Sequence, residues 1–73
     1  MKYKSLPKQW QRIALQMEIE WYQNAVNDIA KHEHVKPWAI TKDSQEVQDA
    51  ISGDHEYVII KDEHTNQSKL EIL

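Results

Sequence analysis

The sequence predicts an α+β domain in which a long N-terminal helix packs on a small strand-helix-β-hairpin unit of two or three antiparallel or mixed strands. Three observations predict it. Residues 6–34 carry an apolar repeat at helical spacing with no Gly or Pro beyond the first turn. Pro37 forbids the helix to continue. The last third of the chain has two β-rich runs around a polar stretch, the pattern of a hairpin. With 73 residues the chain allows one domain, 1–73, divided into a basic N-terminal arm 1–5, the long helix 6–34 and a short αβ unit 35–73.

Each element follows in order. Ser5 is placed to cap the first helix, Pro7 suits its first turn, and Lys31 and His32 complement the negative end of its dipole. At 1.5 Å per residue such a helix extends ~40 Å, whereas a compact domain of this size is only ~30 Å across. Overhang is expected. At 100° per residue the helix shows two apolar stripes. Leu15, Ile19, Tyr22, Val26 and Ile29 follow a 4-3-4-3 spacing. Trp10, Ile13, Ala14, Met17, Trp21 and Ala25 form a second stripe, with Glu18 between the two.

Residues 35–41 read as extended before Pro37 and as a strand after it. Asp43-Ser44-Gln45-Glu46 has the form of a capping box, opening a short helix through Val47, Ala50 and Ile51 that stops at Gly53 in a left-handed cap. Residues 56–61 and 68–73 are the hairpin strands, joined through 62–67. A four-residue loop at 64–67 sets Asp62 against Lys69 and Ile59 against Ile72. The first of these strands is apolar on both faces, which marks it as covered on both sides.

Composition narrows the chemistry. Without Cys there is no disulfide, thiolate metal cluster or cysteine nucleophile, and a single Gly excludes phosphate-cradling loops. No HExxH helix or nucleophile elbow is present, so no catalytic residue, no cofactor and no enzymatic activity is expected. A chain this small is also expected to form no pocket of the ~300 Å³ or more typical of ligand sites. The four His residues lie beside acids, in His32-Glu33-His34, Asp54-His55-Glu56 and Asp62-Glu63-His64. Two residues apart on a helix, His32 and His34 point ~200° away from each other, and no metal site is expected.

Charge is unevenly distributed. Residues 1–17 carry Lys2, Lys4, Lys8 and Arg12 with no acid, while the other 56 carry 5 basic and 12 acidic side chains. The start of the chain has no apolar stretch behind its positive charge, and no run is long enough to span a membrane, so a cytoplasmic location is expected. The basic segment, with Trp10 or Tyr3 available to stack, supports nucleic-acid binding as the alternative function. Residues 38–73, with a Gly53-Asp54 turn before Tyr57-Val58-Ile59-Ile60, resemble the DNA-binding half of the Phd/YefM antitoxins over half the chain. In that family the half lies at the N-terminus and has a longer helix. Here a long helix precedes it and the segment is acidic. The resemblance implies a DNA-binding regulator as that alternative, without membership.

The second stripe is the most informative feature. Trp and Met are enriched at interfaces, and Trp10, Ile13, Met17 and Trp21 are the expected partner-binding residues. The same stripe at helical spacing also suits the core of a small protein. Two stripes on a helix too long for its domain exceed what 40 residues can bury, which favours an interface. The expectation is a small non-enzymatic regulator or inhibitor that binds a protein partner or itself through the long helix, with no small-molecule substrate. Size and missing enzymatic machinery suit an accessory protein of a phage or mobile element.

Overall fold

A computed structural model of the protein describes residues 1–53 and 55–73. Asp54, the second residue of the expected Gly-Asp turn, lies outside the described residues. The chain runs through a short 3-10 turn at Tyr3–Ser5, α1 at Lys8–Glu33, α2 at Gln45–Ser52, β1 at Tyr57–Asp62 and β2 at Gln67–Ile72. The architecture is α+β, with a two-stranded antiparallel sheet. None of the described helices is long and apolar enough to cross a membrane.

The long helix starts two residues later than residue 6, and Ser5 does not cap it. Leu6 precedes a proline, whose ring pushes it to extended geometry (ψ 145°) and out of the helical region. Ser5 instead donates its N–H to Lys2 O within the 3-10 turn, and Leu6 turns into the core. The other end matches expectation at Glu33. His34 then adopts left-handed geometry (φ 57°), and the Val35 N–H bonds back to Ala30 O at 3.0 Å, closing a Schellman motif with His in the place usually given to Gly.

The arm 1–5 is tied down. Met1 O accepts from the Tyr57 N–H at 2.7 Å, and the Met1 amino group donates to Tyr57 O at 2.6 Å and to a Glu56 carboxylate oxygen at 3.0 Å. Lys2 Nζ lies 3.1 Å from the other Glu56 oxygen. These hydrogen bonds, the ammonium's first and then that of Lys2, hold the Glu56 carboxyl below its ordinary range.

Residues 35–41 form no strand, so the sheet has two strands and not three among the described residues. The physical reason is Gln23. Its side-chain amide donates to Trp38 O at 3.0 Å and accepts from the Ile40 N–H at 2.7 Å. One helix side chain thus satisfies the backbone that a neighbouring strand would have satisfied.

Two other local expectations change. Ser44, not Asp43, is the N-cap of α2, and its hydroxyl accepts from the Thr41 N–H at 2.8 Å, so the capping box does not form. Gly53 is not left-handed (φ −81°, ψ −155°). A Cβ there would sit 2.8 Å from Asp49 O, so the residue is small to let the chain leave α2 close to its own carbonyl. In the hairpin, Ile59 pairs with Leu70 and Asp62 with Gln67, so the loop is 63–66, one residue earlier than expected. Asp62 fixes it, accepting from the His64 N–H at 2.9 Å through its side chain and from the Asn66 N–H at 2.8 Å through its carbonyl. Asn66 tolerates the left-handed conformation that closes the turn (φ 58°).

Packing divides α1 lengthwise. One stripe puts Ala14, with Trp10 and Met17 at the margin, against Leu6, Tyr57 and Leu70. Its other stripe puts Val26, with Leu15, Ile19 and Tyr22, against Ile40 and Val47. Each stripe has its own small core, so the αβ unit covers part of both. The result is long and thin, 44 × 28 × 18 Å, with a radius of gyration of 14.3 Å against ~11 Å for a compact chain of this length.

Candidate functional site

Glu18 stands where the two small cores meet. Its side chain is 1% exposed, and one of its oxygens, Oε1, accepts from the Tyr57 hydroxyl at 3.0 Å and contacts His55 Nδ1 at 2.9 Å. Three elements converge there: the middle of α1, the first residue of β1 and the segment leading into it. A carboxylate removed from water needs such partners, because an unpaired buried charge costs several kcal/mol, an order-of-magnitude figure. Burial pushes the Tyr57 phenol above its ordinary range, and the hydrogen bond to Glu18 and that group's charge act in the same direction. Burial, then the Glu18 charge, also raises Tyr22.

Beside this network opens a groove of about 390 Å³ lined by Glu18, Trp21, His55, Ile72 and Leu73. Its formation overturns the expectation that the chain is too small for a pocket of that size. Trp21 is 60% exposed on the groove wall and meets Tyr22 edge-to-face, with ring centroids 4.8 Å apart. His55, with 41% of its side chain exposed, turns the Nδ1 edge of its ring to Glu18. A larger hollow of about 540 Å³ lies at Asp28, Lys31 and His32, whose side chains are all exposed.

The four expected partner-binding residues separate into two pairs. Trp10 and Met17 are half-buried against the hairpin core, while Ile13 (43%) and Trp21 remain exposed. Of the basic residues, Lys2 and Lys4 border the same hollow at the end of α2, Lys2 also reaching Glu56, and Lys8 and Arg12 lie one turn apart on α1, with Arg12 ~180° around the helix from Trp21. Among the described residues, no three His, Asp or Glu side chains are grouped to hold a metal ion.

Sequence reasoning placed Glu18 between the stripes but did not foresee its burial. A signal was present: its helical neighbours at three and four residues on either side, Ala14, Leu15, Trp21 and Tyr22, are all apolar. No family model, curated protein or solved structure matches the chain.

Proposed function

We propose that the protein is a non-enzymatic interaction module that binds another protein chain through the part of α1 its own fold leaves uncovered, Ile13 and Trp21. The observation that carries the reading is the exposed Trp21, a large apolar side chain fixed against Tyr22 in a molecule with surface to spare. The chain exposes 5739 Å² at 8.7 kDa, against ~4,700 Å² for a compact monomer of that mass. The surplus of ~1,000 Å² is close to the ~800 Å² that each partner contributes to a stable interface. Trp is also among the residues that dominate binding energy at interface centres.

Capture of tagged protein at moderate salt, with and without nuclease, tests the reading when run beside the variant Ile13→Ser/Trp21→Ser. Circular dichroism first establishes that the variant keeps its helix. A protein retained by the wild type after nuclease and lost from the variant supports the reading. Equal retention by both refutes it, and material that vanishes with nuclease refutes it in favour of nucleic-acid binding.

A further inference from the structure

We propose that the groove beside Trp21 receives a lysine or arginine side chain from that protein partner, an inference that rests on the interaction reading above. Glu18 lines this groove, and among the described residues the two hydrogen bonds of its carboxylate both fall on Oε1. When the imidazole is neutral, both contacts come from uncharged donors, and the negative charge is left uncompensated in a poorly solvated place. A cation with N–H donors answers that charge. An apolar occupant would strip the remaining water from the carboxylate and return nothing, and an acidic one would be repelled.

The walls suit the same occupant. The exposed Trp21 indole offers the best of the aromatic faces for a cation, and Ile72 and Leu73 offer apolar surface for the methylene stem of a long basic side chain. A volume of about 390 Å³ is at the small end for ligand sites and suits a single side chain. The excess of acids over residues 18–73, 12 against 5 bases, favours approach of a basic partner to the protein as a whole. Arg12, on the opposite side of α1, does not reach this groove from within the same molecule.

The test uses an acetylated Gly-Arg-Gly amide peptide and its citrulline counterpart, which keeps the shape and an N–H and NH2 donor edge but lacks the charge, an oxygen standing in place of one NH2 group. Each is titrated at pH 8 into wild-type protein, following the Trp21 indole N–H resonance. The expected result is a saturable shift with the arginine peptide, at least ten-fold tighter than with citrulline, and loss of that preference in Glu18→Gln. The arginine-to-citrulline ratio needs no variant, so it remains decisive if Glu18→Gln fails to fold. Equal binding of the two peptides, or no saturable shift from either, overturns the proposal. If neither binds while partner capture still depends on Trp21, the groove inference falls and the interaction reading stands. If arginine binds but no protein is retained in the capture experiment, the assignment to a protein partner is overturned.

Discussion

Replacing Glu18 with Leu should destabilise the protein, and adding Tyr57→Phe should restore most of the loss. Glu18 is 1% exposed and its Oε1 takes both the Tyr57 hydroxyl at 3.0 Å and His55 at 2.9 Å. Glu18→Leu keeps an apolar filling but leaves the Tyr57 hydroxyl, on a residue that is itself 1% exposed, with no acceptor. An orphaned buried donor costs ~1–3 kcal/mol. Relief of the carboxylate's own desolvation offsets part of that. His55, with 41% of its side chain exposed, can turn its freed ring nitrogen to water at little cost. The expected net loss is about 1–2 kcal/mol, a large share of the ~4–11 kcal/mol typical of a 73-residue domain. Tyr57→Phe alone withdraws one donor from a charged acceptor and should cost ~1.5–3 kcal/mol. With both groups apolar, nothing polar is stranded between them, and the double variant should lie within ~1 kcal/mol of wild type, a coupling of ~2 kcal/mol or more. Urea titration followed by far-ultraviolet circular dichroism measures all four proteins. If the double variant loses the sum of the two single losses, the groups are uncoupled and the reasoning fails.

Alkaline stability follows from Tyr57. Its folded pKa is raised above the unfolded ~10, so its contribution is complete below pH ~10 and is lost as pH rises toward the folded value, at ~1.4 kcal/mol per pH unit. Denaturation from pH 9 to 11 should show that extra slope in wild type and not in Tyr57→Phe, and parallel curves would contradict it. Gln23→Ala removes both hydrogen bonds to the backbone of 38–40 and should cost ~1–2 kcal/mol, with faster amide exchange at Ile40 and unchanged exchange in the hairpin. Glycine at position 34 relieves the left-handed strain of His34 but loosens the unfolded chain, so His34→Gly should stabilise by up to ~1 kcal/mol in thermal melts, and a lower melting temperature would refute that account of the cap.

The periodicities of the chain carried the fold class, the end of α1 and the hairpin, because apolar spacing and Pro37 act locally. Junctions were harder to read. Leu6 is a strong helix former excluded from the helix by the proline after it, and the strand expected near Ile40 is replaced by a hydrogen-bonding side chain seventeen residues away. No local pattern encodes such a long-range contact. The hairpin register turned on Asp62 and Asn66, whose turn chemistry moved the loop by one residue. For the candidate site, Trp21 was identified from the stripe, but Trp10 and Met17 share its spacing and lie half-buried in a core. The hairpin core takes in Trp10 and Met17, while Trp21 stands on the wall of a groove beside Ile72 and Leu73. The groove and the burial of Glu18 depend on where the hairpin comes to rest, which helical spacing alone does not determine.

Hydroxyl-radical footprinting of the protein, free and in its captured complex, measures most directly whether the uncovered face of α1 is where another chain docks. Trp21 and Trp38 are both about half exposed or more, and Trp38 sits on the segment held by Gln23, ~160° around α1 from Trp21, so it serves as an internal reference. The account predicts that oxidation of Trp21 falls several-fold in the complex while that of Trp38 is unchanged. Unchanged oxidation of Trp21 in a fraction that carries bound protein would contradict it.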